Sequence, residues 1–166
     1  MKKTLKRTLA LLMATASLTV SLGGMSVHAA NTADTSITNF TAAPGIADTY
    51  TELPMSKNGV RVKTNNSSVY LYLTDADYPV YVQTWGLSDT RWSAAVANRT
   101  CNKNGHSTVR VTVQAGRRFV IKNLIHERGD ACAGLKFAST SYYNPSTING
   151  VWSPDYSGNL SVVVAN

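Results

Sequence analysis

The chain has 166 residues and a formal net charge of +7, carried by 16 Lys and Arg against nine Asp and Glu. Four of the basic residues (Lys2, Lys3, Lys6 and Arg7) stand at the very start, leaving 12 against nine and a net of +3 for the rest. That remainder is too small and too scattered for a nucleic-acid footprint, since Arg117-Arg118 is its only adjacent basic pair. It still allows weak attraction to anionic cell-wall polymers.

In chain order, "MKKTLKR" is a basic head and "TLALLMATASLTVSLGG" an apolar run of small residues. Val27-His28-Ala29 closes them with a small-residue cleavage signal. The pattern predicts a secretory signal peptide over residues 1–30, leaving Ala30 or Asn31 as the first residue. The run is short and broken by Thr, Ser and Gly, so it does not read as a retained anchor, and no later segment has the length to span a bilayer. The expected product is secreted, extracellular and not inserted in a membrane.

Residues 31–58 read as an extended segment with one strand at "SITNF". From Gly59 the pattern is alternation. In "SVYLYLT" Val69, Leu71 and Leu73 share one face and Tyr70 and Tyr72 the other; in "PVYVQTW" Val80, Val82 and Thr84 lie opposite Tyr81, Gln83 and Trp85. "VRVK", "STVRVTVQ" and "LSVVVAN" repeat the theme, and period two with β-branched residues is the strand signature. The turn signals "KNG", "TDADYP", "QAG", "YYNPS" and "YSGN" separate the runs, with "DTRWSAAVANRT" as the one helical candidate. Short strands at near-regular spacing predict a single all-β domain, an antiparallel β-sandwich over residues 59–166.

Two cysteines and an oxidising destination predict one Cys101–Cys132 disulfide, pinning strands that the two residues flank. No CxxC or Cys/His cluster accompanies them, so no metal site is expected. "TDAD" (Thr74 to Asp77) reads as an Asp-rich turn before Pro79 rather than a calcium loop.

"IHERGDACAG" (Ile125 to Gly134) holds a His-Glu pair and an Arg-Gly-Asp tripeptide. A zinc-protease motif needs a second histidine four residues after His126, and Asp130 stands there. Nucleophile-elbow, phosphate-loop and dinucleotide patterns are missing, and no cofactor is implied. Glu127, Arg128 and Gly129 therefore read as a structural turn. Gly129 supplies backbone freedom, and Glu127 and Arg128 suit local charge-assisted hydrogen bonds.

The aromatic residues are the remaining resource. Tyr70, Tyr72, Tyr81 and Trp85 lie on strand faces opposite the valines, where exposed rings would stack on sugars. Trp152, beside the turn residues Pro154-Asp155, is a further candidate ligand contact.

The segments "KTNNSSVYLYL", "IKNLIHERGDACAGLKF" and "GVWSPDYSG" resemble, in order, the landmarks of a family of small secreted proteins of Gram-positive bacteria with no assigned activity. Lys63, Asn65, Ser67 and Val69-Tyr70 match a Lys-x-Asn-x-Ser-x-Val-Tyr segment. Glu127-Arg128-Gly129 matches Glu-Arg-Gly, and Gly150 with Trp152 to Asp155 matches Gly-x-Trp-Ser-Pro-Asp. The resemblance implies secretion and one β domain, and it carries over no catalytic residue. Where that family commonly has an aromatic after Glu-Arg-Gly, this chain has Asp130, which makes the Arg-Gly-Asp an accident of this sequence. The leading expectation is a non-enzymatic extracellular protein that binds a cell-envelope polymer or glycan. A bacteriocin-like competition effector and a small cell-wall hydrolase are the alternatives.

Overall fold

The computed structural model describes residues 31–46, 49–158 and 160–166; the expected signal peptide lies outside the described residues. Eleven strands are described: β1 (Thr35–Ala42), β2 (Thr51–Glu52), β3 (Val60–Val62), β4 (Val69–Ala76), β5 (Val80–Leu87), β6 (Ala95–Asn98), β7 (Val111–Val113), β8 (Arg118–Ile121), β9 (Cys132–Ser139), β10 (Ser146–Ser153) and β11 (Val163–Val164). They form two sheets rich in antiparallel pairs. One has the order β1-β10-β4-β8-β11; the other runs β2-β9-β5-β6, with β3 also on β9 and β7 also on β5. Only the β8–β11 pair among the described strands is parallel.

Alternation places one side of each strand in a shared interior. Val69, Leu71 and Leu73 of β4 meet Val80 and Val82 of β5, Leu135 and Phe137 of β9, and Ile148 and Trp152 of β10 in one core. Removing this apolar surface from water is the main term that holds the sheets face to face. The segment expected as an extended leader supplies β1, which pairs with β10 from Thr35↔Trp152 to Ala42↔Ser146, and β2, which pairs with β9.

Three local readings change. "DTRWSAAVANRT" forms a short 3₁₀ turn at Trp92–Ala94 and then strand β6, not a helix. Trp92, Ala95 and Val96 have helical spacing, but the run is short and β6 instead pairs with β5 from Trp85↔Asn98 to Leu87↔Ala95, with a bulge between Gly86 and Leu87. "STVRVTVQ" is a strand only from Val111, while Val109 is 60% exposed. The expected disulfide is not formed: Cys101 and Cys132 are both buried free thiols. Cys132 belongs to a small cluster with Val60 and Leu87, and the Cys101 amide donates to the Lys122 carbonyl at 2.7 Å. Burial pushes both thiols above the ordinary cysteine value, with Glu127 adding to the effect at Cys101 and Asp89 at Cys132.

Candidate functional site

The outer face of the β5–β9 sheet is where half-buried aromatic and charged side chains meet. Tyr81, Gln83 and Trp85 alternate outward from β5, and the register places Trp85 opposite Gly134 and Gln83 opposite Lys136. Because Gly134 has no side chain, the Trp92 indole can lie across β9; a Cβ there would meet the ring at 2.6 Å. Trp92 is fixed further by its Nε1–H donating to the Leu53 carbonyl at 2.8 Å. Val60, Leu87 and Cys132, with Trp85, Trp92 and Ala95 packed on them, make a small second core under this face.

Above that core lies a pocket of about 270 Å³ lined by Tyr50, Gln83, Trp85, Val109 and Lys136. Trp85 is half-buried, and its Nε1–H donates to the Gln83 side-chain oxygen at 2.8 Å, which sets the plane of the indole. The Lys136 ammonium sits 4.0 Å above the centre of the Trp85 ring and 5.2 Å from that of Trp92. Its counterion is Glu52, at 2.9 Å on the rim. The Arg110 guanidinium covers Tyr81 at 3.8 Å and reaches the Tyr50 hydroxyl at 3.4 Å. Two cations held against aromatic planes, with a side-chain amide beside them, suit a ligand that has apolar faces and acidic substituents.

The five sequence candidates do not form one site. β4 and β5 turn their valine and leucine faces toward the same core from different sheets, so their tyrosine and tryptophan faces point away from each other. Tyr81 and Trp85 are on the face just described. Tyr70 and Tyr72 are on the opposite outside of the molecule, where Tyr70 is buried and stacks on Tyr156 at 6.1 Å. Burial, aided by Asp34, pushes the Tyr70 hydroxyl up from its ordinary value. Tyr72 lies under Arg118, 5.2 Å from the ring centre. Trp152 is fully buried in the core. Its large ring fills the interior between β1 and β4.

The turn at "HERGD" is a 3₁₀ turn over His126–Arg128, ended by Gly129 in the left-handed region at φ 76°. Backbone bonds close it, from Arg128 to Leu124 and from Asp130 to Ile125, at 3.1 Å each. Asp130 faces inward: its carboxylate is 2.7 Å from Arg99 Nε and lies against Gly86, where a Cβ would meet Oδ2 at 1.9 Å. The Arg-Gly-Asp acid is thus consumed internally, and the tripeptide is not displayed as a recognition loop. Pairing with Asp130 raises the Arg99 guanidinium above its ordinary value.

The strongest polar constellation went unread in the sequence, although the landmark segments contain it. Lys63 and Asp155 form an ion pair at 2.7 Å with both side chains fully buried. Lys63 also donates to the carbonyls of Ser67 at 2.6 Å and Pro154 at 2.9 Å, so its three N–H bonds are all used. Asp155 Oδ2 accepts from the Thr64 hydroxyl at 2.6 Å, the Thr64 amide at 3.1 Å and the Asn31 amide at 2.8 Å. Burial alone would push this carboxyl up, but the bonds from Lys63, Thr64 and Asn31 and the Lys63 charge together hold it below the usual carboxylate value. Burial likewise pulls Lys63 below the usual lysine value, against the attraction of Asp155. Both groups are closed off by their partners, so the pair ties the two landmark segments together rather than meeting a substrate.

Among the described residues no three His, Cys, Asp or Glu side chains come together in a way that could hold a metal ion. No helix there is long and apolar enough to cross a membrane. No curated protein and no solved structure matches the chain. The stretch that holds both ends of the Lys63–Asp155 pair, the turn and the aromatic face is also the stretch matched by one family. Over residues 25–156 the chain belongs to the family described as "Protein of unknown function (DUF2712)".

Proposed function

We propose that the protein is a secreted, non-enzymatic β-sandwich of a Gram-positive bacterium that binds an acidic polysaccharide of the cell envelope. The binding surface is the outer face of β5 and β9. The observation that carries this reading is the pocket between Tyr50, Gln83, Trp85 and Lys136, where a half-exposed indole lies beside a cation. A sugar ring would displace the Lys136 ammonium sideways from the Trp85 face, and the displaced ammonium would meet the acidic substituent. Arg110, over Tyr81, extends the positive character along the strand. The basic-head and apolar-run pattern of residues 1–30 supports delivery to the outside of the cell.

The test is retention of residues 31–166 on immobilised acidic cell-wall polysaccharide, followed across a salt gradient. Lys136→Gln is expected to weaken retention about tenfold and to flatten the salt dependence, and Trp85→Ala to weaken it further. Tyr72→Ala, on the opposite face, should bind like the parent. Equal retention of folded Lys136→Gln and Trp85→Ala proteins would remove this face as the site. Failure of the parent to bind any acidic polymer would remove the function.

A further inference from the structure

Asn31 is half-buried, four residues before β1, and its backbone nitrogen is held by side chains. It lies 2.8 Å from Asp155 Oδ2 and 3.2 Å from the Thr64 hydroxyl. The Asn31 side chain is held on both sides: Nδ2 donates to the Val62 carbonyl at 2.8 Å, and Oδ1 accepts from Arg61 Nη2 at 2.8 Å. Arg61 in turn donates to the Ala33 carbonyl just beyond. One residue is therefore clamped by four hydrogen bonds, and one of its partners is the carboxylate at the centre of the buried Lys63 pair.

An amide nitrogen has a single hydrogen to offer these two oxygens. An ammonium has three, and a charge that the carboxylate would meet directly. The Val27-His28-Ala29 cleavage signal ends one residue short of Asn31, so cleavage leaves Ala30 or Asn31 as the first residue. We propose that Asn31 is the first residue of the working protein and that its α-ammonium seats on Asp155, so that removal of the leader completes the Lys63–Asp155 cluster. This rests on the secretion reading given above.

In the step itself, an endopeptidase of the export machinery adds water across the Ala30–Asn31 peptide bond. Ala30 leaves with a carboxylate, and the Asn31 amine takes up a proton. That ammonium then bonds Asp155 Oδ2 and Thr64 Oγ1, which already stand within reach, while Lys63 keeps Oδ1. The carboxylate becomes shared between two cations, one on each oxygen. Among the described residues, Arg61 acts on Asp155 with Asp34 beside it, Glu127 acts on Lys63 from further away, and His126 lines the same pocket as Lys63 and Thr64. The arrangement rewards one specific end: a chain beginning one residue earlier carries its ammonium a residue beyond Asp155.

The experiment compares protein beginning at Asn31 with protein beginning at Ala30, and with the Asn31 form acetylated on its α-amine. The expected result is an α-amine that titrates above the ordinary range of about 7.7–8.0 in the Asn31 form, read by ¹⁵N chemical shift. Its melting temperature at pH 6 should exceed those of the other two by about 3 °C. A raised folded-state value means that this advantage is full below the ordinary amine range and disappears as pH rises through the folded-state value. An α-amine that titrates in the ordinary range, with equal melting of the three forms, would overturn the proposal. Asp155→Asn is a poor substitute, since it strands Lys63; acetylation leaves that pair intact. The N-terminus found in culture medium separates the two readings. A start at Ala30 refutes this inference alone, whereas an intact Met1 held in membranes refutes secretion.

Discussion

Lys63 and Asp155 show how much a single side chain can matter when its partner has no water to turn to. Lys63→Met would leave a buried carboxylate without its cation, a loss of about 3–5 kcal/mol, visible as an earlier urea midpoint with unchanged slope. Acid should act on the same pair. The Asp155 carboxyl is held low in the folded protein, so the stability it contributes is present above its unfolded value, about 3.9, and is lost as pH falls through the folded value. Melting temperatures should therefore drop steeply below about pH 4, and less steeply in a variant that has already lost the pair. At Gly129 the φ of 76° makes Gly129→Val strained, at a cost of about 1–3 kcal/mol by chemical denaturation. The need for glycine in that turn was legible, because the backbone requirement is local. The inward direction of Asp130 was not, since Arg99 and Gly86 are distant in sequence and only the fold brings them near.

Strand elements were legible in the same uneven way. Period-two alternation correctly gave β4 and β5 one apolar and one aromatic face each. It could not say that the chain changes sheets between them. Two strands in one sheet present like faces to the same side; two strands in facing sheets present them to opposite sides, which is why Tyr72 and Trp85 are parted. β6 was missed because a short edge strand of small residues, "AVAN", has almost no periodic signal of its own. Trp92, in the connection between β5 and β6, is seated over Gly134. Gly134→Val should push that indole off β9, cost about 1–3 kcal/mol, and shift tryptophan emission to the red as rings meet water. Unchanged emission and stability would show that Trp92 is not held there.

For the whole molecule, two free buried thiols mean that the fold stands on its core and its polar cluster without a covalent staple. Melting temperatures should be equal with and without a thiol reductant, and mass spectrometry after alkylation of unfolded protein should find both cysteines labelled. The order of strands carries a consequence for how the structure is reached. β2, β3 and β5 all pair with β9, while β1 and β4 pair with β10. Among the described strands, β1, β2 and β3 have no partner until β9 or β10 is made, and six of the nine ladders need a strand after Gly129, so loop closure must be paid before most ladders exist. Refolding should take milliseconds to seconds, and a stopped-flow trace finished within microseconds would contradict it. A chain ending at Gly129 should stay unstructured by circular dichroism. For most of its synthesis the polypeptide is thus a thread rather than a body, and it can pass through a narrow opening without first being unfolded.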